Sequence, residues 1–542
     1  MNIGRGGALT ALALLIVLGC GGSDAKVDEG GGGDGDAGTV TVQLPDGGTI
    51  EAPAPPAPPP LGGTPLEGVF VSTTKGIEGA DGAMTRPVKT LAEAMKLAQE
   101  RKTPVNACAE TYSEAVKLID GVTMRGYFDC SDINKWTRID SARAIIASPT
   151  SPAVLAENLL LPAKFEGFEV NAPDILDPPT ANQPARSSYG MIVRNTKNLE
   201  IMDSVIRGGQ GQDGANGAEP AAGNTETGGA TEGGPAGFQK ECNLSEITCT
   251  VLKRVNGAAG GKSKCAAGAN GGPGGNGGDG PFWENSLARE GIGTSAYGRA
   301  YPVAEPLTAA GAPPSTSSAN IRGSKGQRGS PGPIGSNGNW TFTLADGFVP
   351  GEGTAGGIGG PGQGGGGGGG TTIWFASPDV AGSVPTGRRM GATGAGGGAG
   401  GCGGVPGTAG RGGGASIGLL LTAFENVQLV RTRIESKKGG RAGKGALGTL
   451  GGPGGLGGLG KSPALPVITG TSGGDGGPGG AAGLSGHGAP GPSIALVYSG
   501  VKPHSVQLDL VPGTPGDGLA SVEREGQTLP AITGVAKTEH GF

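Results

Sequence analysis

The tightest constraint on how this chain can fold is a gapless internal repeat. Ser188-Tyr189-Gly190-Met191-Ile192-Val193 matches Ser416-Ile417-Gly418-Leu419-Leu420-Leu421 at an offset of 228 residues, and the match runs on through Asn198 on Asn426, Leu199 on Val427, Ile201 on Leu429 and Ile206 on Ile434. A looser third copy begins Ser493-Ile494-Ala495-Leu496-Val497-Tyr498, with Val506 on Leu429 and Val511 on Ile434. Each copy has three apolar beats separated by polar corners. Such a unit cannot bury its own face and has to stack on neighbours. The repeat predicts rungs at 188–206, 416–434 and 493–511, with Ile192, Leu199, Ile201, Ile206, Leu420, Val427, Leu429 and Ile434 facing inward. Burying each such side chain stabilises by roughly 1.5–3 kcal/mol. Asn at a shared corner suits a left-handed backbone, where one amide can bond the next.

Long Gly-rich blocks separate the copies, at about 208–236, 257–280, 322–338, 351–370, 391–414, 439–460 and 472–492. Gly (118) and Pro (42) make up about 30 % of the 542 residues, a share usually met in low-complexity chains. Gly323, Gly326, Gly329, Gly332, Gly335 and Gly338 form a strict triplet run. Flexible loops inserted between rungs are the first reading of these blocks. Polyglycine-II-like helices packed on the rungs are a second, and a short collagen-like segment is a third.

Residues 21–64 read as a Gly/Pro-rich linker, with Pro53 to Pro60 an extended polyproline II spacer. Folding is expected to begin near Leu66 with a strand at Val69-Phe70-Val71. Leu91, Ala94, Met95 and Ala98 fall on one helix face, and Thr90 with Glu93 forms a capping box. Short strands follow, including 105–108, 122–124, 145–146, 154–155 and 165–170, with no two-residue hairpin signals between them. Residues 66–210 resemble the N-terminal part of bacterial right-handed parallel β-helix proteins, the pectate-lyase-like superfamily. The resemblance rests on Phe70-Val71, Gly79-Ala80-Asp81-Gly82, Pro87-Val88-Lys89-Thr90-Leu91-Ala92-Glu93-Ala94 and Cys108-Ala109-Glu110-Thr111-Tyr112-Ser113-Glu114. The expected fold is therefore all-β: a right-handed parallel β-helix over 65–512, with one N-terminal capping helix and long Gly-rich insertions, then a C-terminal tail over 513–542.

At the N-terminus an apolar run of about eleven residues, Ala8 to Leu18, ends in Val17-Leu18-Gly19-Cys20. It is too short to span a bilayer and suits a signal-peptide core. This tetrapeptide resembles the lipobox of bacterial lipoproteins, which implies that residues 1–20 are a signal peptide and that Cys20 is the lipidation site. The whole chain resembles the Gly-rich, PGRS-like surface lipoproteins of Gram-negative bacteria. That implies an outer-membrane or cell-surface location, anchored by the N-terminal lipid.

Six cysteines remain: Cys108, Cys130, Cys242, Cys249, Cys265 and Cys402. An even number in an exported chain points to disulfides. Cys108 and Cys130 are 22 residues apart, about one β-helix turn, so Val105 to Cys108 would stack under Tyr127 to Cys130 and the two cysteines would pair. The pairing of the other four stays open. His487, His504 and His540 are the only histidines and are far apart in sequence, so no metal site is expected.

Little else carries chemistry. Gly208-Gly209-Gln210-Gly211-Gln212-Asp213 matches the start of a calcium nonapeptide, but in a single copy, and reads as a polar turn. Asp203, Arg207 and Arg194, with Arg431 and Arg433 on the related rung, read as a solvated face. Ser416 and Ser493 recur with no histidine near them. A net charge of -5 without a basic block argues against nucleic acid as a partner. The expectation is a non-enzymatic envelope lipoprotein with a structural, adhesive or matrix-binding role, with no catalytic or cofactor-binding residues. Its partners would be the membrane, extracellular polysaccharide or envelope proteins. The alternative is a polysaccharide lyase or glycoside hydrolase on the same scaffold.

Overall fold

The 228-residue offset reappears as a strand pairing. Ser188–Lys197 lies parallel beside Ser416–Glu425, with Ser188 opposite Ser416 and Met191 opposite Leu419. Ser416–Glu425 in turn lies parallel beside Ser493–Tyr498. The computed structural model describes residues 40–43, 49–52, 66–181, 183–220, 257–263, 265, 323–368, 371–375, 388–392, 394–460 and 471–542. The chain divides into two units, Met1–Leu66 and Glu67–Phe542. In the first, Val40–Gln43 pairs antiparallel with Thr49–Ala52.

Parallel sheets dominate the second unit. The first sheet has six strands, ordered Ala536–Gly541, Ser493–Tyr498, Ser416–Glu425, Ser188–Lys197, Val154–Glu157 and Val116–Lys117. The second runs from His504–Val506 through Gln428–Val430, Leu199–Met202 and Ala163–Glu166 to Met124–Asp129, Val105–Cys108 and Val69–Val71. The third runs from Asp509–Val511 through Arg433–Glu435 and Val205–Arg207 to Phe168–Asn171, Ala144–Ala147 and Thr111–Tyr112. The helix Leu91–Arg101 packs its buried Leu91, Ala94, Met95 and Ala98 into the same core. Thr90 accepts from the Glu93 amide, and Glu114 accepts from the Leu91 and Ala92 amides.

Parallel pairing is compatible with a β-helix-like arrangement, but the expected fold class is corrected. The parallel strands are stacked as separate sheets and not as one β-helix solenoid. Antiparallel pairs also occur, at Thr341–Thr343 with Gly347–Val349, Thr371–Phe375 with Arg388–Ala392, and Val522–Arg524 with Gln527–Leu529. The Gly-rich stretches, expected first as loose insertions, are ordered wherever they are described.

Those stretches form a bundle of extended segments bonded backbone to backbone. In 471–491 the amides of Gly473, Gly476 and Gly479 bond to Gly458, Gly455 and Gly452. The next residues, Gly474, Gly477 and Gly480, bond to Gly366, Gln363 and Gly360. The third member of each triplet accepts instead: Asp475, Pro478, Ala481 and Leu484 receive the amides of Gly326, Gly329, Gly332 and Gly335. An extended chain with three residues per turn has no internal hydrogen bonds, so successive residues point in three directions and are free for neighbours. Each net hydrogen bond contributes only about 0.5–1.5 kcal/mol, but the backbones can approach only if no Cβ intervenes. A Cβ on Gly480 would lie 1.9 Å from the Ser330 carbonyl oxygen, and one on Gly476 would lie 1.9 Å from that of Ala399. Rim segment 323–338 has Gly at one position in three, whereas 473–480, with more neighbours, has it at two.

Two cores lie on the two faces of the first sheet. Leu199, Ile201, Ile206, Val427, Leu429 and Ile434 are buried in the main core, as expected of an inward set. Ile192 and Leu420 face the other way, into a second cluster with Ile417, Ile494, Val497 and Phe348, while their neighbours Met191, Val193, Leu419 and Leu421 face the main core. A strand covered on both faces has no polar alternation to reveal which side is in.

Cys108 and Cys130 are joined by a disulfide, with Cα atoms 5.7 Å apart. The stacking argument behind the pairing needs correction. Cys108 sits opposite Phe128, after a register shift between Asn106 and Cys108, so the two cysteines are not equivalent positions on adjacent strands. Cys265 and Cys402 are also joined, with Cα atoms 5.6 Å apart.

Gly480→Ala and Gly476→Ala are each expected to destabilise by about 1–3 kcal/mol or more, since a methyl group cannot be placed without parting two backbones. Leu456→Ala, at a 58 % exposed rim position, should change stability by no more than about 0.5 kcal/mol. Urea denaturation checks this, and equal effects at the three sites would contradict the packing account.

Candidate functional site

The outer face of the first sheet carries the site. The antiparallel pair Thr341–Thr343 and Gly347–Val349 lies over it, its turn closed by Thr343 Oγ1, which accepts from the Asp346 amide at 3.0 Å and donates to Asp346 Oδ2 at 3.2 Å. Gly347 has φ +71°, and a Cβ there would meet Leu420 at 3.0 Å. The Phe348 amide donates to the Tyr189 hydroxyl oxygen at 3.3 Å. Burial raises the Tyr189 pKa, and that hydrogen bond offsets it in part.

This chain has few aromatic residues (4 %), yet several converge here. Phe342 packs edge-on against Phe348 at 5.5 Å and Trp340 at 5.8 Å, and it stacks with Phe542 at 5.3 Å and 27°. The His540 ring lies 5.2 Å from Phe342 and 5.7 Å from Trp340. Burial, with Lys537 second, lowers the His540 pKa. Beside these rings is a depression of about 490 Å³, lined by Phe342, Thr343, Leu344, Ala423, Ser499, Gly500 and Phe542.

A corner column runs into its floor. Asn158 and Asn195 hold left-handed backbones (φ 60° and 48°), and the Asn195 amide donates to Asn158 Oδ1 at 2.6 Å. The next positions are Ala423 (φ 48°) and Gly500 (φ 74°). A second corner keeps its asparagines, with Asn426 donating to Asn198 Oδ1 at 2.7 Å. The sequence pass missed the aromatic gathering because Trp340 and Phe542 are far apart along the chain. The available cue was the alternation Trp340-Thr341-Phe342-Thr343 followed by Asp346-Gly347, a hairpin signature.

The charged residues singled out in the sequence are each tied into an ion pair. Arg431 binds Asp203 through Nε at 2.7 Å and Nη2 at 2.8 Å. Arg207 Nε binds Glu435 at 2.9 Å, Arg433 reaches Asp509 at 3.0 Å, and Arg194 pairs with Glu157 at 3.1 Å. Burial favours protonation of Glu435, but hydrogen bonds from Arg433 and Arg207 outweigh it and hold the pKa low. Asp213, from the calcium-like motif, accepts the Arg441 amide at 2.8 Å. Ser416 and Ser493 are fully buried, and their hydroxyls bond to backbone at Lys437. Cys108, Glu110 and Cys130 come together, but the sulfurs are joined to each other, and Glu110 accepts from the Thr73 amide and hydroxyl, both at 2.7 Å. Cys20, Cys242 and Cys249 lie outside the described residues. Among the described residues no helix is long and apolar enough to cross a membrane.

Comparison of the chain with family models, with curated proteins and with solved structures found no match.

His487 gives a pH prediction. It is 1 % exposed, and its Nδ1 accepts the Gly445 amide at 3.0 Å. Burial, followed by Lys444, lowers its pKa. The unfolded chain therefore binds this proton first, so the stability from neutral His487 is present above about pH 6.5 and is lost as pH falls toward the lowered folded value. Denaturation midpoints should be flat above about pH 7 and fall as the pH drops below about 6.5. His487→Asn, which keeps an acceptor, should flatten that fall; an unchanged profile would contradict the assignment.

Proposed function

We propose that this is a non-enzymatic, lipid-anchored envelope protein of the Gly-rich, PGRS-like kind, held at the outer membrane or cell surface of a Gram-negative bacterium through Cys20. In this reading the sheets and the glycine bundle form a stiff body, and the aromatic depression is its adhesive or matrix-binding face. The observation that carries the reading is the contrast between two surfaces. The acidic and basic residues that could have served a lyase or hydrolase are tied into ion pairs, while the concave aromatic surface is lined by uncharged side chains. General acid and base catalysis needs titratable groups within reach of the bond to be broken.

Two measurements test it. Metabolic labelling with palmitate should tag the wild-type protein and not Cys20→Ser; equal labelling of both would defeat the anchor. Incubation with a panel of plant and bacterial polysaccharides should leave chain lengths unchanged. Depolymerisation would favour the alternative, a polysaccharide lyase or glycoside hydrolase.

A further inference from the structure

We infer that the depression above Ala423 binds a neutral sugar ring of an extended glycan. The inference rests on the non-enzymatic binding role proposed above and supplies its ligand class.

The first argument is the lining. Phe342 and Phe542 stack within 27° of parallel at 5.3 Å, and the outer ring, Phe542, is the apolar platform the pair presents at the depression. A pyranose ring has an apolar face of C–H groups that covers such a platform, with its hydroxyls left at the edge. None of the lining side chains is ionisable. Of the nearby charges, Lys502 pairs with Glu539 at 2.5 Å and Lys197 with Glu425 at 2.8 Å, while Lys537 lies 3.4 Å from His540. A uronate carboxylate placed here would lose hydration with no cation in the lining to receive it. The platform is also open, with Leu344 61 % and Phe542 37 % exposed. An acyl chain calls for an enclosed slot, whereas a polymer can lie across an open one.

The second argument is the floor. Left-handed backbone is tolerated by Gly and by Asn and is unfavourable for Ala. The two preceding corner positions use Asn, and the bond between them shows what a third would gain. At position 423 the chain holds Ala in the same conformation instead. Strain retained where a relieving residue is already in use next door points to a functional constraint. An asparagine side chain at 423 would project into the depression that the Ala methyl leaves open.

The test uses the full-length protein in detergent, with intrinsic tryptophan fluorescence and calorimetry as readouts. The probes are cellohexaose, maltohexaose, laminarihexaose, chitohexaose and, as a charged control, hexagalacturonate. At least one neutral hexamer should bind saturably and the uronate should not. Phe542→Ala and Ala423→Asn should each weaken binding about tenfold or more, and Ala423→Asn should also raise the unfolding midpoint. Failure of every neutral hexamer to bind, binding of the uronate alone, or equal binding by both variants would overturn the site. A lower midpoint for Ala423→Asn would overturn the strain argument. Chromatography of the bound sugar separates this inference from the functional reading. Binding with cleavage would sink the non-enzymatic role and keep the site, while no binding and no cleavage would sink the site alone.

Discussion

Close backbone contact, possible only where no Cβ stands in the way, is the constraint on which the rest of this structure depends. Strands adjacent in the first sheet, Ser188–Lys197 and Ser416–Glu425, are separated by more than two hundred residues of chain. The Gly-rich stretches, both within that intervening chain and after it, are poor in apolar side chains and cannot build an ordinary core. Where described, they are ordered by hydrogen bonds between extended segments, with Gly474, Gly477 and Gly480 against 360–366 on one side and Gly473, Gly476 and Gly479 against 452–458 on another. Glycine loses more conformational freedom on folding than any other residue. The bundle offsets this by bonding one backbone amide per triplet in 323–338 and two in 473–491, and by its bonds to the sheets, such as Gly208 to Glu435.

The sheets are held differently. Their main core is largely aliphatic, with Ile201 beside Leu429 in one sheet and Ile206 beside Ile434 in another. Their corners are fixed by left-handed Asn158, Asn195, Asn198 and Asn426. The Arg431–Asp203 pair spans the same 228-residue offset as the strands beside it. It lies at an exposed surface and contributes little to stability, but it ties together chain segments that only the fold makes neighbours.

Much of the sheet register was legible in the sequence, because side chains at equivalent positions of stacked strands face the same environment. Ser188 on Ser416 and Ile206 on Ile434 are both sequence matches and strand partners, whereas the third copy is one residue off: Leu429 pairs with Ser505, not Val506, and Ile434 with Leu510, not Val511. The direction of Ile192 and Leu420 was not legible, since both faces of their strands are apolar and the cover comes from distant Trp340 and Phe348. The glycine bundle was misread first as loops because composition does not report spatial neighbours. Its signal was the period of three, with one Gly per triplet in 323–338 and two in 473–480, matching the close contacts each segment makes. The fold class was misjudged because a repeated strand pattern specifies stacking without specifying that the sheets join into one solenoid. The aromatic depression was invisible for a similar reason: Phe342, Ala423, Ser499 and Phe542 come from four separate stretches of chain.

Hydrogen–deuterium exchange followed by mass spectrometry tests the central claim most directly. Peptides from 351–368, 395–414 and 471–491 should exchange as slowly as those from Ser188–Lys197 and Ser416–Glu425, because their amides are bonded to neighbouring backbones. Exchange of those glycine-rich peptides at unprotected rates, with the sheet peptides still protected, would contradict the account.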